Sequence, residues 1–463
     1  MSEIGSEQNP LRVAVIGAGP AGFYTISNFQ RFKEIHTQID LYDRLPTPFG
    51  LVRNGVAPDH QKDKSVTRAY DKSAQQPNVR FFGNVEYGSH IHMDDLKKHY
   101  HMVMFSNGAK MDRSLDVPGE NLLGSHSATD FVAWYNGHPD YAHLEFDLSQ
   151  ESVAIVGIGN VAVDVARMLC MTDAERRATD MADHAIEALA KSNVKHVYML
   201  GRRGPAQAAF TPPEIKELGE LEDADIEVLA DEGRLDALSQ EDLDANGDKN
   251  AVKNVELIGG YAGQPLSGKS KTLTIRFLVS PTELQGDKQI KGIRIVRNEL
   301  YLDDRGSIRP RATDNFEELP VGLVFRSVGY RGSPLPDVPF HEAWGSIHNE
   351  LGRVTDGNGN NVEGLYCAGW IKRGPTGVIG TNKTDAQETV KCMVEDMEAG
   401  HHFNPTESLD AISSLMQSRQ PDLISYDDWS RINAYEVAAG EAEGRPRVKL
   451  TSVPDMVKVA RAG

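Results

Sequence analysis

The chain has 463 residues, which is too long for a single hydrophobic core and predicts two or three domains. Its 49 basic and 67 acidic side chains give a net charge of -18, which argues against sequence-independent binding to nucleic acid or to an anionic membrane surface. Three cysteines without a Cys-x-x-Cys pair argue against a disulfide framework, a zinc site and a dithiol redox centre. With neither a targeting signal nor a membrane-length apolar run in the sequence, we expect a cytoplasmic protein.

The first predicted element is a strand that leads into a glycine-rich turn. Residues 11–22 read LRVAVIGAGPAG, a β-branched strand followed by Gly17, Gly19 and Gly22, and helical spacing follows. Glycines at these positions let backbone N–H groups approach a pyrophosphate at a helix N-terminus. The next strand, QIDLYDR, ends in Asp43, roughly 20 residues after Gly22, where a ribose-binding acid belongs. This pattern predicts a dinucleotide site; a purely structural turn with a surface aspartate is the alternative.

A second strand, turn and helix occupy residues 152–169, SVAIVGIGNVAVDVARML. The turn has the same pattern with alanine in third place: Gly157, Gly159 and Ala162. The following strand, KHVYML, ends in Gly201, Arg202 and Arg203, where the first motif has an acid. Two guanidinium groups suit a 2′-phosphate, which a carboxylate would repel, so the motif predicts NADP rather than NAD. A pair of solvated surface charges is the alternative.

A third glycine-rich segment covers residues 361–390, NVEGLYCAGWIKRGPTGVIGTNKTDAQETV. A strand around Leu365 to Ala368 precedes the turn, and the residues after it have helical spacing. The N-terminus of that helix would direct free N–H groups and the positive end of its dipole at a bound group. A flavin ring, whose negative charge grows on reduction, would be stabilised there. An ordinary strand-to-helix loop is the alternative for this segment taken alone.

With PTPFGLVRNGVAPDH at residues 46–60 and GRRGPAQAAFTPPEIKEL at 201–218, these segments resemble the adrenodoxin reductase family of NADPH-ferredoxin reductases over about Leu11 to Val390. The resemblance implies an α/β fold with two Rossmann-like dinucleotide-binding domains. The NADP-binding domain, residues 109–329, is inserted into a discontinuous FAD-binding domain, residues 1–108 and 330–463. It also implies hydride transfer from NADPH to FAD and single-electron transfer to a ferredoxin-type iron-sulfur protein.

The resemblance implies cofactor contacts at the matching positions of this sequence. For FAD these are the pyrophosphate turn Gly17, Gly19, Ala21 and Gly22, the ribose acid Asp43, Leu51 beside the flavin and the backbone of Tyr87 at the adenine. The segment against the flavin ring contains Trp370, Gly377, Val378 and Ile379, with Gly377 also near the nicotinamide. For NADP they are the pyrophosphate loop Gly157, Ile158, Gly159 and Asn160, the 2′-phosphate clamp Arg202 and Arg203, and the polar contact Glu214.

Two candidate catalytic residues also come from the resemblance, which implies that His60 and Asp164 lie near the flavin and the electron exit. A structural histidine and an aspartate paired within its helix are the alternatives. Hydride transfer to a flavin needs orientation more than acid–base chemistry, so we expect positioning roles for both side chains.

Basic residues after the APDH motif suggest an acceptor surface. Lys62, Lys64 and Arg68, with Arg53 and Lys216, could dock an acidic ferredoxin despite the negative net charge, and solvated helix charges are the alternative. The chain beyond residue 400 matches no motif, and we expect helices packed on the FAD-binding domain.

Two other functions remain open at this point. An NADPH-dependent flavin monooxygenase or quinone reductase would act on a small molecule, and a non-catalytic redox sensor would hold FAD and NADP without turnover.

Overall fold

The computed structural model describes residues 3–462. This part of the chain divides into two compact units. The discontinuous unit comprises the described residues up to Met111 together with those from Tyr330 onward, and the inserted unit is Asp112–Gly329. The assignment of these units to FAD and NADP stays a prediction. Two short strands, Met111–Asp112 and Tyr330–Arg331, lie at the points where the chain passes from one unit to the other.

The discontinuous unit is built on a seven-stranded sheet with parallel central strands. Leu11–Ile16 lies between Thr37–Tyr42 and Met102–Phe105, with Leu11 opposite Thr37. The spatial order of the strands is Asn349–Glu350, Arg353–Thr355, Asn361–Cys367, Met102–Phe105, Leu11–Ile16, Thr37–Tyr42 and Val79–Phe82. A separate two-stranded sheet pairs Phe340–His341 with Ser346–Ile347.

Both faces of this sheet are apolar and covered. Along the first strand, Val13 and Val15 belong to one core cluster and Ala14 to another, as alternating side chains require. The helices beyond residue 400 pack into both clusters, with Met416 in one and Trp429 in the other. The helices of the unit are Pro20–Phe29, Leu51–Asn54, Gln61–Lys64, Thr67–Ala74, Met93–His99, Trp370–Arg373, Thr381–Ala399, Ala411–Arg419, Tyr426–Glu443 and Val453–Arg461.

The inserted unit contains a six-stranded sheet in which every pair is parallel. Its spatial order is Ser125–Ser127, Leu323–Arg326, Ser152–Val156, His196–Leu200, Lys271–Arg276 and Ala224–Val228. An antiparallel sheet adds Val279–Gly286, Ile290–Leu302 and Ile308–Leu319. The helices are Ala128–Tyr135, Asn160–Cys170, Asp173–Arg177, Asp183–Ala190, Pro212–Leu218, Ala237–Asn246 and Lys249–Tyr261, with a 3-10 turn at Pro205–Gln207.

Each unit thus contains a parallel sheet with a strand, a glycine-rich turn and a helix at its centre, which confirms the predicted α/β class with two Rossmann-like units. Across residues 3–462, no helix combines the length and the apolar character needed to cross a bilayer.

A buried histidine ties the first strand to the chain beyond residue 400. The Nδ1 atom of His101 accepts the backbone N–H of Arg12 at 2.9 Å, and its carbonyl accepts the N–H of Phe403, also at 2.9 Å. The His101 ring lies 5.5 Å from the ring of His402 and is 5% exposed. Burial, helped by His402 and Arg12, lowers the pKa of His101 to about 4. The folded protein therefore holds this side chain neutral.

We expect acid to destabilise the protein through His101. Its folded-state pKa of about 4 lies below the ordinary value of 6.5, so the unfolded chain binds more protons and stability falls as the pH falls between these values. The loss reaches roughly 3 kcal/mol at the acid end of that range. Urea unfolding followed from neutral to acidic pH should show this slope in the wild type and a shallower one in His101→Gln. Equal slopes would contradict the assignment.

Candidate dinucleotide-binding sites

Three helices of ten or more residues begin directly after a glycine and have no side-chain cap: Pro20–Phe29 after Gly19, Asn160–Cys170 after Gly159 and Thr381–Ala399 after Gly380. None has an acidic residue in its first turn. Six other helices are capped by the side chains of Ser127, Thr172, Asp236, Asp248, Ser425 and Ser452. Because the first N–H groups of a helix lack helical acceptors, the termini at Gly19 and Gly159 suit anionic groups. At the third terminus, the N–H groups of Thr381, Asn382 and Lys383 already donate to the carbonyls of the preceding turn at 3.0 to 3.2 Å, so this terminus offers its dipole more than free donors.

The first glycine turn separates structural glycines from a ligand-facing one. Gly17 has φ +111°, and a Cβ there would lie 2.6 Å from the carbonyl oxygen of Ser106. A Cβ on Gly22 would lie 2.3 Å from the carbonyl oxygen of Gly17. A Cβ on Gly19 would meet nothing closer than the Cα of Gly50 at 3.9 Å. Gly17 and Gly22 therefore permit the turn and the helix packing, and Gly19 leaves room for a ligand.

Two further predicted segments contact this turn. A Cβ on Gly50, which directly precedes Leu51, would lie 2.9 Å from the Cα of Gly19. A Cβ on Gly369, at the start of the third motif, would lie 2.7 Å from the Cβ of Ala21. The structure thus brings together the first motif, the Leu51 segment and the third motif, which are far apart in the sequence.

The third motif presents an orphaned donor and an exposed apolar side chain. The indole Nε1 of Trp370 is buried and has no hydrogen-bond partner within residues 3–462. Gly377 has φ +78°, and a Cβ there would lie 2.5 Å from Oγ1 of Thr381. Val378 is 57% exposed, whereas Ile379 packs against the core. A bound ring with carbonyl acceptors would satisfy the indole and cover the valine, so these residues fit a flavin.

Asp43 is fixed by the backbone at the end of its strand. Its Oδ2 accepts the N–H of Ala18 at 2.9 Å, and its Oδ1 accepts the N–H of Leu45 at 2.9 Å. Burial raises the pKa of this carboxyl group, although both hydrogen bonds act in the opposite direction. Each oxygen keeps a further acceptor site, so Asp43 can accept a ribose hydroxyl without losing its backbone contacts.

The side chain of Tyr87 belongs to the core. Its hydroxyl donates to the carbonyl of Pro336 at 2.7 Å, and its ring meets that of Phe105 edge-on at 5.5 Å. Nearby in the chain, the N–H of Val85 donates to the carbonyl of Asp43 at 2.9 Å, so the segment that contains Tyr87 is anchored next to the predicted ribose-binding residue. Only the backbone of Tyr87 is left for the predicted adenine contact, which stays a prediction.

The second glycine turn repeats the geometry of the first. Gly157 has φ +136°, and a Cβ there would lie 2.2 Å from the carbonyl oxygen of Ser327. A Cβ on Gly159 would meet no atom within 4 Å. Position 157 therefore requires glycine for the fold, and position 159 leaves open space in front of an uncapped helix.

The residues around this turn connect it to the loop that carries the arginine pair. The Oδ1 of Asn160 accepts the N–H of Thr211 at 2.8 Å. The side chain of Ile158 lies against Gly201, where a Cβ would be 2.6 Å from the Cδ1 of the isoleucine. The predicted pyrophosphate loop and the arginines that follow Gly201 are therefore neighbours.

The arginine pair has a fixed backbone and uncompensated charges. The carbonyl of Arg202 accepts Nδ2 of Asn298 at 2.9 Å, and the carbonyl of Arg203 accepts the N–H of Leu278 at 3.1 Å. Neither guanidinium has an acceptor in the described part of the chain. Burial and then the charges of Arg202 and Arg309 lower the pKa of Arg203. An anionic group would relieve this repulsion.

Sequence reasoning missed a residue that joins two of the predicted ones. Arg167, 3% exposed, donates to Asp164 at 2.7 Å and to Glu214 at 3.2 Å. It also donates to Glu217 at 2.7 Å. The i, i+3 spacing from Asp164 was the available signal. Asp164 and Glu214 are therefore held by one guanidinium.

His60 directly precedes the short helix Gln61–Lys64 and is largely buried, with 13% of its side chain exposed. Its Nδ1 lies 4.0 Å from Oδ2 of Asp63. Its predicted place near the flavin stays a prediction.

The prediction that five basic residues form a surface for an acidic ferredoxin is wrong for two of them. Arg53 and Lys64 are buried, at 7% and 8% exposure, so neither can present its charge to a partner. Lys62 and Arg68 are exposed. Lys216, also exposed, belongs to the inserted unit.

No family model matches the chain. The chain is 42% identical over 460 residues to the NADPH-ferredoxin reductase FprA of Mycobacterium tuberculosis (strain ATCC 25618 / H37Rv), with 97% of this chain and 99% of the relative covered. The chain belongs to the NADPH-ferredoxin reductase family. Another relative of this reductase is the mitochondrial NADPH:adrenodoxin oxidoreductase of Salvelinus fontinalis, which is 38% identical over 464 residues, with coverage of 97% and 91%.

A solved structure agrees with this assignment. Mycobacterium tuberculosis FprA in complex with NADPH matches the reductase with a TM-score of 0.92 at 41% identity, over 98% of this chain and all of that one. The predicted family and the two-domain reductase fold are thereby confirmed.

We expect alanine to reduce mainly stability at one glycine of the second turn and mainly NADP⁺ binding at the other. Gly157→Ala should lower the free energy of unfolding by about 2 kcal/mol or more, because of its positive φ and the Ser327 carbonyl. Gly159→Ala should cost less than about 1 kcal/mol and still weaken NADP⁺ binding by about tenfold or more, because its methyl group fills the ligand's space. Thermal unfolding and NADP⁺ titration measure the two effects. Unimpaired NADP⁺ binding by Gly159→Ala would contradict a ligand at this turn.

Proposed function

We propose that this reductase transfers hydride from NADPH to FAD and passes the electrons singly to a ferredoxin-type iron-sulfur protein. The names of its relatives and the FprA structure in complex with NADPH support the donor and the acceptor class. Within the chain, one observation carries the proposal. Two glycine turns with uncapped helices lie in separate units, one followed by Asp43 and the other by the cationic pair Arg202 and Arg203.

The chain supplies binding and orientation, and bound FAD supplies the conversion of a two-electron hydride into single-electron steps. In this proposal the N–H groups around Gly19 hold the FAD pyrophosphate and Asp43 holds the ribose. Leu51 and Ile379 would help to exclude water from the bound ring. The buried indole N–H of Trp370, which has no partner within residues 3–462, would be available to donate to it.

The third motif contributes electrostatics. Thr381–Ala399 is the longest of the helices that follow a glycine, and its first turn carries neither a cap nor an acid. The positive end of its dipole would stabilise negative charge developing on a ring placed above Gly377 and Val378. This stabilisation needs no proton donor.

In the inserted unit, Arg202 and Arg203 would clamp the 2′-phosphate, and Gly157 to Asn160 would hold the pyrophosphate. Glu214 would contact the same dinucleotide with its carboxylate oriented by Arg167. Hydride transfer moves no proton through the protein. His60 and Asp164 are therefore proposed as positioning residues.

A cytoplasmic location belongs to the same proposal. All three cysteines are free and buried, as in proteins of a reducing compartment.

Lys62 and Arg68 are the members of the predicted patch in the discontinuous unit that remain exposed to an acidic ferredoxin.

The acceptor distinguishes this reductase from its rivals. We expect NADPH-driven cytochrome c reduction to rise severalfold when a suitable ferredoxin is added, because electrons leave singly through that protein. A monooxygenase or quinone reductase would consume oxygen or quinone at a rate independent of ferredoxin, and a redox sensor would hold a flavin that NADPH fails to bleach. No gain with several acidic ferredoxins would overturn the proposed acceptor.

The arginine pair makes its own prediction. Arg202→Ala/Arg203→Ala should raise the KM for NADPH about a hundredfold or more, because each charge-assisted contact contributes roughly 1.5 to 3 kcal/mol. The KM for NADH, which has no 2′-phosphate, should change little. Steady-state kinetics with both donors measure the difference.

A matched control removes two surface cations of the same unit. Arg177 and Lys195 form exposed ion pairs with Asp173 and Glu151, so Arg177→Ala/Lys195→Ala changes the net charge equally without touching the loop. An equal loss of NADPH preference in this control would show a general charge effect and contradict the clamp.

A further inference from the structure

A fully buried ion pair joins the Leu51 segment to the chain beyond residue 400. The Nη1 and Nη2 atoms of Arg53 donate to Oε2 and Oε1 of Glu436 at 2.8 and 2.5 Å. The two side chains are 5% and 0% exposed. Burial would raise the pKa of Glu436, but Arg53 and then Arg447 outweigh it and lower that pKa, so the carboxylate stays charged.

The segment after the helix Tyr426–Glu443 completes this contact. Arg447 donates to Oε2 of Glu436 at 3.1 Å, and the N–H of Leu450 donates to its Oε1 at 2.8 Å. Lys449 reaches the carbonyl of Arg53 at 3.3 Å. The carboxylate is thus satisfied on both oxygens by groups from two separate parts of the chain.

The loop held by this pair has an unfavourable backbone. Phe49 has φ +85° and the next residue, Gly50, has φ +50°. A positive φ costs a bulky residue on the order of 1 to 3 kcal/mol and persists only where neighbouring structure enforces it. The N–H of Phe49 donates to the carbonyl of Ala18 at 2.7 Å, and its ring meets Trp429 edge-on at 5.6 Å.

The same tryptophan also contacts Arg53, whose guanidinium carbon lies 5.4 Å from the Trp429 ring centroid. The helix Tyr426–Glu443 therefore holds the loop at two points, through Trp429 and through Glu436. The loop in turn lies on Gly19, where the proposed FAD pyrophosphate site begins.

We propose that Glu436 and Arg53 are positioning residues that hold Phe49 to Leu51 in the conformation that retains FAD. The inference rests on the proposed function, since it requires FAD at the first turn. It gives the helix Tyr426–Glu443 and the strand-free segment after it a role in cofactor retention.

The test compares Glu436→Gln with Asp40→Asn in the full-length holoenzyme. Asp40 is also 0% exposed and accepts two hydrogen bonds at 2.7 Å from one arginine, Arg80, but its partners are Arg80 and Tyr100 rather than the segment that follows Phe49 to Leu51. FAD affinity is measured by titration of the apoprotein at a temperature where circular dichroism shows each variant folded. We expect the Kd for FAD to rise about tenfold or more in Glu436→Gln and by less than about threefold in Asp40→Asn.

NADP⁺ binding to the inserted unit should be unchanged in both variants. The visible spectrum of the flavin that remains bound should shift in Glu436→Gln alone. Arg53→Lys, which keeps the charge but not the bidentate contact, should give an intermediate Kd and serves if Glu436→Gln does not fold.

Equal FAD affinity in wild type and Glu436→Gln, or an equal loss in Asp40→Asn, would overturn the positioning role while leaving the proposed function intact. A wild-type protein that cannot be reconstituted with FAD would overturn the proposed function and this inference with it.

Discussion

The sites depend on backbone N–H groups that the chain leaves without a side-chain acceptor. A cap such as Ser127 or Asp236 would place its own oxygen where a phosphate is expected to bind, and it would compete with the ligand. Replacing a side-chain cap by glycine costs a helix roughly a few tenths of a kcal/mol. An anionic ligand restores that interaction and stabilises the folded state by mass action. Glycine at the N-cap therefore lowers the stability of the free protein slightly and leaves the N–H groups available to a ligand.

Charge compensation distinguishes a structural arginine from a binding one in this protein. Arg167 and Arg276 are nearly buried, and each is paired with at least two carboxylates. Arg203 is half-buried beside Arg202 and has no such partner in the residues that the structure describes. With a net charge of -18, the chain has more carboxylates than basic groups, so the absence of a carboxylate from this loop does not reflect a lack of acidic residues. Repulsion within the pair favours an incoming phosphate over a hydroxyl.

The sequence pattern predicted those strands and turns whose conformation is determined by residues close together in the chain. Gly17 and Gly157 stand where a tight turn demands a positive φ, and the strands before them are largely apolar, so the two Rossmann-like units could be predicted from the sequence. The basic patch could not, because the charge of Arg53 is neutralised by a residue 383 positions away. Arg167 was missed for the same reason: only the fold brings Glu214 to it.

The residues that contact a cofactor and the residues that hold them in place follow different rules. A glycine beside a pyrophosphate is constrained by its neighbours in the chain, so it forms a motif. Glu436 is constrained by a guanidinium that the fold delivers, and nothing beside it in the sequence needs to match. Strain at Phe49 persists only under such distant constraint, because local preference favours a negative φ for a bulky residue. A segment without a recognisable motif can therefore be as necessary to a binding site as the glycines from which the site is predicted.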